Sequence, residues 1–273
     1  MKLAIISDIH SNLPALEAVM DDLKIQSPDV VVVAGDFINR GPQPAEVWSL
    51  LQSTGWTLLR GNHEDYIIAQ CAPLEPDDPL STPLWQPARW TAEQVGKRGD
   101  ELQALPLCLS LDAPDGGKIS VVHGTAQRNN EGIFPTTPDE YMAELIGDTS
   151  LSLFCCGHTH QSLIRKFGCT LVVNAGAVGL PFNGDPRAQY AIATWHDGAW
   201  QAELRAVEYD RGRTRAAFDS NRFAPDAGPL WRIIAHELET ARPHLGQWVA
   251  QYAEAVRSGT LTIEDAVNRY FGD

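Results

Sequence analysis

The sequence predicts an α/β protein with a helical C-terminal extension. Three observations carry this. Short apolar runs alternate with amphipathic stretches from the start, strand-like runs separated by tight turns fill the middle, and the strand signal stops near Asp210. Leu3 to Ser7 reads as the first strand and Leu13 to Ile25 as a helix, with Leu13, Leu16, Val19, Met20 and Leu23 at helical spacing. Val30 to Ala34 is an unbroken, mostly β-branched run that suits a strand covered on both faces. Ala45 to Gln52 reads as helix, Trp56 to Leu59 as strand and Glu64 to Gln70 as helix. The resulting βαβαβ order predicts a largely parallel first sheet.

From Cys71 to Pro87 the composition shifts to Pro, Asp, Ser and Thr, a loop signature long enough to pass near a site. Ala88 to Val95 and Asp100 to Leu105 read as short helices, Cys108 to Leu111 and Ile119 to Val122 as strands, Asp139 to Ile146 as helix and Leu151 to Cys156 as strand. Ser162 to Phe167, Cys169 to Val173, Tyr190 to Trp195 and Trp200 to Val207 then predict antiparallel or mixed sheet. After a break at Ala224 to Pro229, Leu230, Ile234 and Leu238 recur at helical spacing, and Leu245, Trp248, Val249, Tyr252 and Val256 form an apolar stripe. That stripe is expected on the domain's own sheet or at an oligomer contact. Thr262 and Asp265 have capping-box spacing. The expected division is a domain over 1–208 and a helical extension over 209–273.

With 273 residues, 44% hydrophobic and 21% charged, the chain lies in the globular range, which excludes disorder as its main state. A net charge of -14 repels nucleic-acid backbone, so non-specific nucleic-acid binding is not expected. No span approaches the ~20 apolar residues that cross a bilayer, and Leu3 to Ile6 is too short for a signal-peptide core. The expectation is a soluble cytoplasmic protein without membrane partners. Five cysteines without a C-x-x-C pair read as reduced, mostly buried thiols, with Cys155 and Cys156 packed inside on opposite faces of one strand.

The chemistry gathers at strand ends, the edge where α/β sheets place ligands. Asp8-Ile9-His10 ends the first strand, where alternation puts residues two apart on one side. Asp36 follows the second through Gly35, which permits a tight turn. Asn62 and His63 follow the third, His123 closes the Ile119 run, and His158-Thr159-His160 closes the Leu151 run. Each alone is compatible with a turn or cap residue. Five of the eight histidines occupy such positions together.

This ordered set, Asp8-Ile9-His10, Gly35-Asp36, Gly61-Asn62-His63-Glu64, Val122-His123-Gly124 and Gly157-His158-Thr159-His160, resembles the signature of the calcineurin-like metallophosphoesterases, from the N-terminus to about Val207. Asn174-Ala175-Gly176-Ala177-Val178-Gly179 is similar to the Asn-Pro-Gly-Ser loop of the small bacterial members, with Ala175 in place of proline. The resemblance implies a four-layer αββα sandwich of two mixed sheets and a two-metal site. It assigns one ion to Asp8, His10, Asp36 and His160 and the other to Asp36, Asn62, His123 and His158, with Asp36 bridging. Nitrogen and oxygen donors suit Mn²⁺ first, with Fe, Zn²⁺, Co²⁺ and Ni²⁺ compatible. Two divalent ions against two carboxylates leave the site near +2, which reverses the acidic surface locally.

The implied reaction is hydrolysis of phosphate mono- or diesters by a metal-bridging hydroxide, with His63 assisting the leaving group. Arg40 falls where the related serine/threonine protein phosphatases place a phosphate-contacting arginine, the alternative being a surface pair with Glu46. Asn39 stands where those phosphatases have an aspartate behind the catalytic histidine, and it is expected to accept a hydrogen bond from the imidazole. Small phosphate esters, nucleotides and phosphoproteins all fit as substrates. A catalytically inactive interaction scaffold on the same fold is the competing reading, but scaffolds erode the ligand set that is complete here. No G-x-G-x-x-G follows the first strand, which argues against a dinucleotide enzyme.

Overall fold

The computed structural model describes residues 1–75 and 77–272. Pro76, inside the Cys71 to Pro87 loop, and Asp273 lie outside the described residues. The opening run is β1 (Lys2–Ile6), α1 (Leu13–Gln26), β2 (Val30–Val33), α2 (Pro44–Thr54), β3 (Thr57–Leu58) and α3 (Asn62–Cys71). Then come α4 (Gln86–Gln94), α5 (Gly99–Gln103), β4 (Cys108–Asp112), β5 (Lys118–Val122), α6 (Asp139–Ile146), β6 (Leu153–Cys156), β7 (Leu163–Phe167), β8 (Thr170–Asn174), β9 (Ala188–His196) and β10 (Ala199–Val207). The C-terminal helices are α7 (Arg211–Ser220), α8 (Phe223–Asp226), α9 (Trp231–Thr240), α10 (Leu245–Arg257) and α11 (Ile263–Phe271). The break expected from Ala224 is shorter, because α8 occupies its first half.

The strands form two five-stranded sheets, ordered β10-β9-β1-β2-β3 and β4-β5-β6-β8-β7. β1, β2 and β3 pair in parallel, but β9 runs antiparallel to β1 and carries β10 with it. The largely parallel first sheet is therefore a mixed one. The cause is long-range: β9 alternates Tyr190 and Ile192 toward the helices with Ala191 and Ala193 toward the other sheet, all buried. A strand apolar on both faces needs a central place, and beside β1 it has one. In the second sheet β5, β6 and β8 are parallel, with β4 and β7 antiparallel at the edges.

Three apolar clusters fix the layers. Leu3, Ile5 and Val32 meet Ile119, Val121 and Leu153 between the sheets. Ile6 and Val33 face Leu16, Val19, Trp48 and Ile67 of the helices outside the first sheet. Phe154 and Val172 face Met142 and Ile146 of α6 outside the second. This is a four-layer αββα sandwich. Cys155 lies between the sheets and Cys156 under α6, as strand alternation requires, and burial pushes both thiols up. Cys108 and Cys169, by contrast, are exposed, because each sits at or beside a sheet edge.

α7 is held to α1 by Thr214 Oγ1 donating to Asn12 Oδ1 (2.9 Å) and by an Arg213–Glu17 ion pair (2.7 Å). Trp248 and Val256 of the C-terminal stripe are buried against Leu230, Ile233 and Val267 of neighbouring helices rather than against a sheet. Thr262 caps α11 by accepting from the Asp265 N–H at 3.1 Å. No helix among the described residues is long and apolar enough to cross a membrane.

Candidate metal centre

All the sequence-predicted residues reach one edge of the sandwich, but not through strand alternation. β1 ends at Ile6 and β6 at Cys156, so Asp8, His10, His158 and His160 stand on the turns beyond. Asp8, His10, Asp36, His158 and His160 all take positive φ, between 46° and 66°. Left-handed backbone is costly for such residues, and its concentration here marks loops held in place by their surroundings. Two glycines permit the close approach. A Cβ on Gly35 would lie 2.7 Å from the Gly61 nitrogen and 2.8 Å from His123 Nδ1, and one on Gly61 would strike the Asp36 carboxylate.

Three groups of side chains bring their donor atoms within 4.8 Å of one another, close enough to hold a cation: Asp8, His10 and His160; Asp36, His123 and His158; and His10, Asp36 and His63. In the first group, His10 Nδ1 faces the Asn39 carbonyl at 3.3 Å and His160 Nδ1 faces the Leu180 carbonyl. A carbonyl only accepts, so both Nδ1 atoms carry the proton and both Nε2 atoms present lone pairs. Those two Nε2 atoms are 3.2 Å apart, and His160 Nε2 is 3.2 Å from Asp8 Oδ1, a buried oxygen without a hydrogen-bond partner. Three electron-rich atoms that converge with no proton between them fit a cation. Burial, reinforced by His160, holds His10 down at about 3, so it stays neutral and able to ligate.

The second group has the same logic. His123 Nδ1 faces the Ala34 carbonyl at 2.7 Å, which turns Nε2 to Asp36 Oδ2 and Asn62 Oδ1, each at 3.1 Å. His158 Nδ1 lies 2.9 Å from the same Asn62 oxygen. Burial works against a charged His123, but the Asp36 charge and hydrogen bond outweigh it and lift the imidazole to about 10. Without a metal, a proton therefore occupies the place that a cation would take.

His63 stands beside both groups, its ring 4.8 Å from that of His10. Asn39 Oδ1 accepts from the Arg40 N–H at 2.9 Å, which fixes the amide so that Nδ2 faces His63 Nδ1 at 2.8 Å. Asn39 thus donates to the imidazole, the reverse of the expected acceptance. With Nδ1 accepting, the His63 proton sits on Nε2. Burial holds His63 well below its usual value, Asp36 opposing and His10 and Arg40 adding. The half-buried Arg40 lines a cavity together with Asp36, Asn62, His63, His158 and His160, and among the described residues its guanidinium has no ion-pair partner, while Glu46 accepts from Asn221 at 2.8 Å.

Residues 1–198 match the calcineurin-like phosphoesterase superfamily domain. The chain belongs to the calcineurin-like phosphoesterase superfamily. An uncharacterized protein of Methanocaldococcus jannaschii is 27% identical over 226 residues, covering 76% of this chain and 88% of that protein. A metallophosphoesterase from Sphaerobacter thermophilus superposes with a TM-score of 0.70 at 27% identity, over 88% of this chain and 99% of that one. A hypothetical protein from Pyrococcus horikoshii OT3 shares the fold, with a TM-score of 0.67 at 19% identity over 84% of this chain and 97% of its own.

Two supports of this calcineurin-like site were not assigned from sequence. Glu64 is fully buried and accepts N–H groups of Asp36 (2.8 Å), Phe37 (3.0 Å), Ile38 (3.4 Å) and Gly61 (2.8 Å), which joins the two loops carrying Asp36 and Asn62. Burial and the Asp36 charge push its carboxyl up to about 8 against those N–H groups. Its place three residues after Gly61 is the signal: it is the returning half of a capping box. The second support is the Asn174 loop. Asn174 Nδ2 donates to the Gly157 carbonyl (2.8 Å) and to Thr159 Oγ1 (2.9 Å), while the Val178 and Gly179 N–H groups bind the Ser7 and Asp8 carbonyls, both at 2.9 Å. Ala175 donates its N–H to the Cys156 carbonyl at 2.9 Å, a bond that proline could not make.

Proposed function

We propose that the protein is a dinuclear metal-dependent phosphoesterase that hydrolyses small phosphate esters. The observation that carries this reading is the buried Asp36, which groups with His123 and His158 on one side and with His10 and His63 on the other, His10 also grouping with Asp8 and His160. Asp8, His10, Asp36 and His160 would hold one ion, and Asp36, Asn62, His123 and His158 the other. Their nitrogen and oxygen donors suit Mn²⁺. Bound there, divalent ions would supply Lewis acidity for phosphoryl oxygens and for a water, whose pKa they can lower from ~15.7 to about 7. Asp36 would be shared by both sets. His63 offers its Nε2–H where a leaving oxygen would gain charge, and Arg40 offers a planar fork for non-bridging oxygens. The five free thiols suit the reducing cytoplasm.

Metal-stripped protein is expected to be inactive on an aryl phosphate and to regain turnover with Mn²⁺ at about two ions per chain. Activity that survives complete chelation overturns the metal-dependent reading, and absence of activity after Mn²⁺ is restored favours the inactive scaffold.

Arg40 discriminates between ester classes. A monoester keeps a third non-bridging oxygen after two have met the metals, whereas a diester has only two. Arg40→Ala is therefore expected to lower kcat/KM for a monoester more than for a diester, by about 1.5–3 kcal/mol for a lost charged hydrogen bond. A paired assay on mono- and bis-aryl phosphates at saturating metal checks it, and equal losses on both remove Arg40 from phosphoryl contact.

A further inference from the structure

The cavity that exposes Asp36, Asn62, His158 and His160 continues well beyond them, to about 590 Å³ in all, the size of a pocket for a whole small molecule rather than for a phosphoryl group alone. We infer that this extension is a slot for the organic half of the substrate, and that the substrate is a phosphate ester of an aromatic alcohol of small-molecule size. The inference rests on the phosphoesterase reading for its phosphoryl end.

Aromatic rings in the lining start at the histidine cluster. Tyr66 meets His63 edge-on at 5.1 Å, and Trp85 meets Tyr66 at 5.2 Å, while Phe182 stacks on His160 at 4.3 Å and 14°. The C-terminal segment adds Leu230, Ile234, Leu245, Trp248 and Val249 to the lining. Rings and branched aliphatics together make an apolar lining against which a planar ring gains offset or edge contacts that a flexible polar chain cannot make. Away from the metal cluster, Asn39 and Arg40, the lining is otherwise apolar or aromatic apart from Thr159, Gln161 and Arg257. A bound peptide backbone would find too few partners for its N–H and C=O groups there, which disfavours a phosphoprotein. Leu230, Leu245 and Val249 lie beyond residue 198, where the match to the superfamily domain ends, whereas Tyr66, Trp85 and Phe182 lie within it. The shared domain therefore supplies the phosphoryl site and the rings, and the segment beyond it completes the slot.

The test is calorimetric binding of methyl-, hexyl-, phenyl- and 1-naphthylphosphonate to the full-length Mn²⁺-loaded protein, so that no turnover is needed. The aryl compounds are expected to bind about ten- to hundredfold more tightly than methylphosphonate, as burial of one ring implies. Val249→Asp, on a side chain that is 41% exposed, and Trp85→Ala are each expected to collapse the aryl-to-methyl ratio toward one. The ratio stays informative if a variant is partly unfolded, because an inactive fraction lowers both affinities alike. Equal affinity for all four compounds, or an aryl advantage untouched by both variants, overturns the slot. Hexylphosphonate binding as tightly as the aryl compounds overturns the aromatic preference. Selective binding without hydrolysis of the matching phosphates supports the slot and overturns the hydrolytic reading instead.

Discussion

Asp36→Asn is expected to deplete metal from both positions and to cut turnover by about 10³-fold or more, the scale of several kcal/mol of lost charge stabilisation. Asp36 is buried, its Oδ2 is 3.1 Å from His123 Nε2, and its Oδ1 accepts the His63 N–H at 2.8 Å. Asparagine keeps the shape but not the charge. Either orientation of the amide also does harm. With its NH₂ toward His63, donor faces donor; with its NH₂ toward His123, it occupies the direction from which a cation must be approached. Burial alone would raise the Asp36 pKa, yet the imidazolium of His123 beside it holds it well below the usual carboxylate range. Metal analysis beside a turnover assay checks the prediction. Two retained equivalents with wild-type turnover would show that the two donor groups do not share this residue.

Much of this was legible locally. Val30–Val33 is a strand by composition alone, and the Asp and His residues that follow β1, β2, β5 and β6 could be picked out because each terminates an apolar run. What could not be read was pairing over distance. Nothing near Tyr190 says that β9 leaves its sequence neighbours to lie beside β1, because that choice depends on two buried faces contributed by distant segments. The turns were misread for a related reason. Alternation is a rule for strands, and Asp8 and His10 converge in left-handed backbone fixed by outside bonds, such as the His10 N–H to the Asp36 carbonyl at 3.1 Å. Glu64 was visible as part of a motif, but its four backbone partners come from two loops that only the fold brings together. The role of Leu245 and Val249 was hidden likewise, since an amphipathic stripe reports a buried face without naming what it faces.

His63→Ala is expected to retain its metals and lose about 10²- to 10³-fold in turnover, the cost of removing one preorganised donor from a developing oxyanion. Geometry leaves two roles open to this residue, because His63 groups with His10 and Asp36 closely enough to ligate. The bond from Asn39 Nδ2 decides between them. It occupies the Nδ1 lone pair at 2.8 Å and places the proton on Nε2, so the neutral ring has no free lone pair to offer a metal and one N–H to offer a substrate. The pH dependence carries the same distinction. An imidazolium acid would give activity that falls as pH rises through its pKa, and His63→Ala would abolish that limb. A neutral donor, held well below its usual pKa by burial, gives no such limb, and the variant's profile should run parallel to the wild type at a lower level. Metal content and the pH profile of kcat are therefore measured together on His63→Ala. Loss of a metal equivalent would reassign His63 as a ligand, and disappearance of an alkaline limb would show that it works as a charged acid despite Asn39.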